Sequence, residues 1–408
     1  MSLDSAFAAS SMDPVLRAIV TVGVLVFFAK IFASMFSSLR LPPVVGELLA
    51  GVIFSPYALG GGIIVFGEPL VVLNDYVEAF AEIGAIMLLF SMGLEMGLAS
   101  LREAGMWAVL VATLGAVIPF IAGYEFYSLS GMPPISALFI GAIMVATSLA
   151  ISSKVLESLD LLKTEEGVLL INAAVIDDVL GVAVLAIITA VVVHGTISLY
   201  DAAKIVAAFF AIWFAMVGFG AYFLPRVMER AMSLGVEGAV EAAAVASAFV
   251  LAAMAGALGL SPIIGAYAAG MAIAESRALQ HVKDFTRHIN TIFSPIFFTV
   301  VGARMNLGAV TDQVLVGILV MTALAIVSKF AGGFAGAMLK LRSGVKGARV
   351  GVGMIPRGEL GLIIASLALS KGVIGQDLYA QAVWMVVLTS VIAPIILSRM
   401  YRAELEKS

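Results

Sequence analysis

Two adjacent aspartates, Asp177 and Asp178, stand near the middle of an apolar run from about Val168 to Val193. That run is long enough to cross a bilayer. An ionised carboxylate at bilayer depth costs about 3 kcal/mol on insertion scales, and no packing benefit of an Asp offsets that. Such a group earns its place by pairing with a buried cation or by facing a cavity that admits a cation or proton. Adjacent helix positions point roughly 100° apart, so the two neighbours face different surroundings and can divide these tasks. Asn172 adds an amide to the same segment.

A counter-charge lies far along the chain. Lys329, in Ala325-Ile326-Val327-Ser328-Lys329-Phe330-Ala331-Gly332-Gly333, is too deep in its apolar segment to snorkel easily. A buried ammonium needs an anion, and Asp177 or Asp178 is the obvious one. Lys30 sits nearer a basic loop and reads as snorkelling. Glu47 and Glu82 lie deep enough in their segments to line a path, whereas Glu78 and Glu95 fall near segment ends.

Two further stretches interrupt apolar segments. One is Val145-Ala146-Thr147-Ser148-Leu149-Ala150-Ile151-Ser152-Ser153; the other is Gly353-Met354-Ile355-Pro356-Arg357-Gly358-Glu359-Leu360-Gly361. Pro356 removes a helix donor and the glycines loosen the backbone. Irregular backbone at membrane depth survives only where it is buried in protein or beside water. Freed carbonyls, with Thr147 and Ser148, offer neutral ligands to a cation. Arg357 and Glu359 can neutralise the partial charges of half-helix ends.

These residues need a scaffold that crosses the membrane many times. Of 408 residues, 62% are hydrophobic and 12% charged, about half the charge of a soluble domain. That leaves almost nothing for a soluble domain and excludes a nucleic-acid partner. There are no cysteines, which excludes disulfides and thiolate metal sites. The three histidines, His194, His281 and His288, fall at segment ends or in loops. No catalytic constellation or cofactor motif is present, so the chain does not read as an enzyme. Residues 1–12 lack the basic start of a cleavable signal.

Length and Pro/Gly/charge punctuation predict thirteen hydrophobic segments. They are Val15–Leu39, Pro43–Leu59, Val77–Leu98, Met106–Tyr127, Ile135–Val155, Val168–Val193, Ala203–Leu224, Val240–Leu258, Pro262–Ala274, Ile289–Val301, Val314–Leu339, Val350–Leu369 and Leu378–Ser398. The second, ninth and tenth are short. Loops after odd-numbered segments and the C-terminal tail hold sixteen of the 23 Lys and Arg. The opposite loops hold Arg17, Lys204, Arg304 and Lys371. That asymmetry puts the N-terminus outside and the C-terminus in the cytoplasm.

The chain also repeats itself. Pro43-Val44-Val45-Gly46-Glu47-Leu48-Leu49-Ala50-Gly51 in segment two is matched by Pro262-Ile263-Ile264-Gly265-Ala266-Tyr267-Ala268-Ala269-Gly270 in segment nine. Phe90-Ser91-Met92-Gly93 in segment three is matched by Thr299-Val300-Val301-Gly302 in segment ten. Both pairs are seven segments apart. An odd offset reverses orientation, which makes this an inverted-topology repeat, as in secondary transporters. The same offset pairs the two interrupted segments, five and twelve. The first repeat covers about 15–193, a linking segment 203–224, and the second repeat about 240–398.

Over essentially all thirteen segments the chain resembles the monovalent cation:proton antiporter-2 family, in particular its NapA-type sodium/proton antiporters. The resemblance rests on Pro43–Gly51, Val145–Ser148, Ala173–Gly181, Ser261–Ala266, Ser328–Gly333 and Pro356–Gly361. It implies an all-α polytopic membrane protein in which broken segments five and twelve cross. Segments 4–6 and 11–13 would form a moving core, and segments 1–3 and 8–10 a scaffold for a homodimer. It implies that Asp178 is the main carrier, that Asp177 pairs with Lys329 and that Thr147 lies near the ion. Exchange would be electrogenic, with Na⁺ at Asp177 and Asp178. The tail from Arg399 to Ser408 is short, so the nucleotide-binding domain of potassium-efflux relatives is not expected.

The expectation is a secondary antiporter in a prokaryotic cell membrane, exporting cytoplasmic Na⁺ or Li⁺ for H⁺ with no cofactor. A K⁺/H⁺ antiporter would use the same residues. A sodium-coupled organic-solute symporter would need a larger polar cavity, and segments five and twelve supply no further polar positions for one.

Overall fold

The computed structural model describes residues 13–39, 42–65, 67–103, 105–148, 151–152, 156, 161, 164–194, 199–258, 260–306, 308 and 311–405. In chain order the helices are α1 (Pro14–Ser38), α2 (Pro43–Ile53), α3 (Asp75–Glu103), α4 (Gly105–Leu129), α5 (Pro134–Ile143), α6 (Glu165–His194) and α7 (Leu199–Ser233). Then come α8 (Ala239–Ala257), α9 (Pro262–Ile273), α10 (Leu279–Ala303), α11 (Asp312–Leu341), α12 (Gly344–Gly353), α13 (Glu359–Ser370) and α14 (Gln376–Leu405). A helical turn at Leu59–Gly62 and a small hairpin, Ile64–Val65 antiparallel to Glu68–Pro69, lie between α2 and α3. The hairpin is a small departure from the all-α expectation.

Among the described residues, eight helices contain a stretch long and apolar enough to cross a membrane: α1, α3, α4, α6, α7, α8, α11 and α14. The chain is a multi-pass membrane protein. The short apolar helices α2, α5 and α9 each begin with proline in the first turn, where its missing N–H has no intrahelical bond to lose. At 1.5 Å per residue, helices of 11, 10 and 12 residues fall well short of the roughly 30 Å hydrocarbon core. Their ends must find partners inside the protein.

Segment ten is longer than its hydropathy suggested. α10 starts at Leu279 rather than near Ile289 and runs 25 residues. Its first turns are amphipathic: Val282 and Thr286 are buried while His281, Arg287 and His288 are exposed. A hydropathy window averages over that stripe and loses it.

The chain separates into two compact units. One comprises Met1–Leu88 and Thr286–Leu315, the other Leu89–Phe285 and Val316–Ser408. In the first, Ala18 and Leu25 of α1, Val77 and Ala81 of α3, and Ile296 and Val300 of α10 close an apolar core. Glycines set the helix spacing there. A side chain at Gly46 would run into the Phe32 carbonyl of α1; one at Gly51 would meet the Thr299 carbonyl of α10, and one at Gly302 the Leu48 carbonyl of α2.

The second unit uses the same device at matching positions. Gly265 of α9 abuts the Leu251 carbonyl of α8, Gly270 abuts the Phe90 carbonyl of α3, and Gly93 abuts the Tyr267 carbonyl. Small residues let backbones approach closely where lipid removes the hydrophobic drive between helices. Elsewhere in this unit, Gly332 and Gly336 of α11 pack on Leu114 and Val111 of α4. A larger core joins α4, α6, α11, α12 and α14 through Ala108, Leu170, Ala174, Ala337, Val350 and Leu397.

Candidate ion site

The second unit holds both interrupted segments. α5 ends at Ile143, and the chain runs irregularly through Val145–Ser148. α12 ends at Gly353, and the chain is irregular through Ile355–Gly358 before α13 begins. The two breaks lie against each other. Ser148 N–H donates to the Pro356 carbonyl at 2.8 Å, Thr147 Oγ1 donates to the Met354 carbonyl at 3.2 Å, and Ser152 Oγ donates to the Gly353 carbonyl at 2.5 Å. Each break thereby satisfies backbone groups that the other leaves open. Pro356 makes this possible by ending helical pairing while keeping a free carbonyl. Glu359 begins α13, and its side chain lies outside the described residues.

Two cations converge on the C-terminal end of α5. The Arg357 guanidinium donates to the carbonyls of Met144, Val145 and Ala146, and to Ala325 of α11 at 2.9 Å. Its own backbone is held by Thr389 and Ser390 of α14 at 3.3 and 3.2 Å. Lys329 Nζ donates to the Val145 carbonyl and, at 2.8 Å, to Asp177 Oδ1. Orphan carbonyls at a helix C-terminus carry partial negative charge, and positive side chains are favoured there. Lys329 reaches this point beside Gly115 of α4, where a side chain would lie 3.8 Å from Nζ.

The carboxylates complete the cluster. Asp177 and Lys329 are each 0% exposed, Asp178 3% and Arg357 1%. Asp178 acts electrostatically on Lys329, and Asp177 on Arg357. With all four ionised the cluster is neutral, which is how four charges can share a dry interior. One oxygen stands out: Asp177 Oδ2 is buried with no hydrogen-bond partner among the described residues, a costly arrangement for a carboxylate unless a proton or cation takes that place.

Sequence-predicted residues fall out as follows. Asp177, Asp178, Lys329, Thr147, Ser148, Pro356 and Arg357 belong to this one region of the second unit. Asn172 is half-buried on α6, five residues before Asp177. Glu47 and Glu82 belong to the first unit. Glu47 is buried, and the Lys30 ammonium lies 3.5 Å from it. Lys30 thus has a partner as well as a side chain 48% exposed. Glu82 is exposed on α3 instead of enclosed. Depth along a helix axis does not give the direction a side chain faces.

Two groups escaped the sequence. Arg349 falls by hydropathy in the loop between segments eleven and twelve, among the sixteen charges that set orientation, yet it is buried, 3.0 Å from Glu166 and stacked over the Tyr401 ring at 4.2 Å. It ties the start of α6 to α12 and the end of α14. Both charges stand beside apolar runs, where sequence reads them as ordinary flanking charges. The other group is Tyr267, buried in α9; the repeat pointed to its motif but not to this residue.

The transmembrane sodium/hydrogen exchanger family matches residues 23–403. The chain belongs to that family. Relatives include the high-affinity Na⁺/H⁺ antiporter NhaS3 of Synechocystis, 30% identical over 91% of this chain and 87% of its own length. The Na⁺/H⁺-K⁺ antiporter GerN of Bacillus cereus is 30% identical over 94% and 96%. The fold matches the sodium proton antiporter MjNhaP1 of Methanocaldococcus jannaschii with a TM-score of 0.72, covering 96% of this chain and 98% of that one at 17% identity. The activity to be explained is exchange of sodium for protons across a membrane.

Proposed function

We propose that this antiporter carries Na⁺ out and H⁺ in through Asp178, with Asp177 and Lys329 as its coupling partner pair. The observation that carries the reading is the buried 2.8 Å Lys329–Asp177 pair, next to a second buried carboxylate and behind two broken helices that brace each other. A proton neutralises Asp178; a cation does so by coordination. A loaded site can pass an apolar barrier, whereas a bare carboxylate cannot, because desolvating it costs too much. Competition for one carboxylate couples the two fluxes. Thr147, Ser148 and the carbonyls around them line the approach, with Asn172 further along α6. Arg357 and Glu359 offset the half-helix ends, and Pro356 keeps the break open.

The same reading makes the chain a thirteen-span inverted repeat. Its support is the matched packing: Gly46, Gly51 and Gly302 in the first unit take the same kinds of partners as their repeat counterparts Gly265, Gly270 and Gly93 in the second. Core and scaffold are functional assignments: segments 4–6 and 11–13 move, and segments 1–3 and 8–10 hold a homodimer. The N-terminus lies outside and the C-terminus in the cytoplasm. Because the wild type has no cysteine, single cysteines report orientation cleanly. Ser233→Cys, exposed at the end of α7, should label only from the cytoplasm, and Ser130→Cys, exposed beyond α4, only from outside. The opposite pattern would overturn both orientation and span count.

The name of GerN keeps K⁺ in play as a second cargo. Cation-driven proton flux in proteoliposomes, with Na⁺, Li⁺ and K⁺ compared, tests the whole reading. Na⁺ and Li⁺ should each drive flux. K⁺ alone driving it would make the protein a K⁺/H⁺ antiporter, and no cation-dependent flux would refute antiport.

A further inference from the structure

The irregular stretch Ile355–Gly358 is held from two sides. On one side the Pro356 carbonyl accepts from Ser148 N–H at 2.8 Å, and a side chain at Gly358 would lie 3.1 Å from the Thr147 carbonyl oxygen. On the other side α14 presents Thr389 and Ser390, 0% and 1% exposed. These two neighbours interrupt the apolar run Met385-Val386-Val387-Leu388-Thr389-Ser390-Val391-Ile392. Buried hydroxyls in such a run are costly unless they are hydrogen-bonded.

The pair matches both ends of one residue. Thr389 Oγ1 donates within its own helix, to the Met385 and Val386 carbonyls at 2.8 and 3.1 Å. A hydroxyl has one proton and two lone pairs, so this oxygen is left as an acceptor, and the Arg357 N–H donates to it at 3.3 Å. Ser390 Oγ directs its proton to the Arg357 carbonyl at 3.2 Å. Arg357 stands between α12 and α13, where its N–H and C=O have no helix to pair them. With both held, its side chain starts from a fixed point, and the guanidinium reaches the carbonyls of Met144, Val145, Ala146 and Ala325. The Val145 carbonyl also accepts from Lys329 Nζ. Arg357 and Lys329 therefore share one oxygen, and a displaced Arg357 disturbs both the end of α5 and the contacts of the lysine.

We propose that Thr389 and Ser390 are positioning residues of the ion site. By clamping the Arg357 peptide they set the carbonyls at the end of α5 that meet the cation and anchor Lys329. The inference rests on Asp177, Asp178 and Lys329 as the exchange site and adds α14 to the elements that determine cation affinity. A displacement of a fraction of an ångström is enough to weaken a preorganised site.

The test compares Thr389→Val, which keeps the shape and removes the acceptor, with Thr389→Ser, which keeps the hydroxyl and removes a methyl group. In proteoliposomes the apparent KM for Na⁺ should rise about fivefold in Thr389→Val, the equivalent of one neutral hydrogen bond, with the maximal rate within about twofold of wild type. Thr389→Ser should keep the wild-type KM. The Na⁺ concentration giving half-maximal thermal stabilisation in detergent should rise in parallel with KM. A purely structural role predicts a lower melting temperature for Thr389→Val without Na⁺, but an unchanged KM and an unchanged Na⁺ titration; that result would overturn the proposal. An equal rise of KM in both variants would also overturn it, because the methyl group and not the hydroxyl would then matter. If Thr389→Val does not fold, Ser390→Ala is held to the same KM and titration criteria. Failure of the antiport reading is separate, because it would appear in the wild type as absent cation-driven flux.

Discussion

Asp178→Asn should leave a folded, membrane-inserted protein whose Na⁺-driven proton flux falls to that of protein-free liposomes. The substitution keeps size and shape and removes the only property the mechanism needs, a negative charge that either a proton or a cation can cancel. Asp178 is 3% exposed, so no external carboxylate can take over. The buried Lys329–Asp177 pair is untouched. Thermal stability in detergent should therefore stay close to wild type, and that measurement separates a dead carrier from an unfolded one. A permanently neutral side chain also removes the coupling rule. With Asn at 178 the side chain is equally uncharged with and without cargo, so loading no longer changes its desolvation cost, and any residual conformational cycling would be uncoupled. Wild-type flux from this variant would end the assignment of Asp178 as carrier and leave Asp177 as the alternative.

The parts of this site visible in sequence were those that break an expected pattern. Two carboxylates and a lysine inside apolar runs violate membrane hydropathy, and Pro356 with its neighbouring glycines violates helix continuity. Such violations survive only where something compensates for them. The pairing of the breaks was not visible, because the hydrogen bonds of Thr147, Ser148 and Ser152 to Met354, Pro356 and Gly353 depend on how two half-helices approach. Nor was the azimuth of Glu82, whose depth resembles that of Glu47 but whose side chain faces outward. Arg349 was misread for the opposite reason: a charge beside an apolar segment is usually solvated, and only tertiary packing brought Glu166 and Tyr401 to it. The first half of α10 was lost because an amphipathic stripe and a loop have similar average hydropathy.

Lys329→Gln separates a brace from a proton carrier. Asp177, Asp178, Lys329 and Arg357 sum to zero when all are ionised. Adding one proton at Asp178 gives a charge of plus one, and so does adding Na⁺, as long as Lys329 stays protonated. A cycle between those two states exchanges one for one and ignores voltage. If a cation at Asp177 and Asp178 displaces the ammonium from its 2.8 Å contact, the ammonium loses the anion that stabilised it in a dry interior and releases its proton. The sodium-loaded site is then neutral, two protons move per Na⁺, and each cycle carries one net charge, worth about 2.3 kcal/mol per 100 mV. In Lys329→Gln the empty site is minus one and either cargo brings it to zero, so exchange should become one for one. The expected result is Na⁺-driven proton flux that no longer responds to a valinomycin-imposed potential, in a protein less stable than wild type. Removing one partner of a buried ion pair typically costs about 3–5 kcal/mol; the Gln amide can still donate to Asp177, which favours the lower end. Thermal unfolding in detergent measures the second effect and flux under clamped voltage the first. Voltage dependence equal to wild type, together with lost stability, would show that Lys329 only braces Asp177 and that another group carries the second proton.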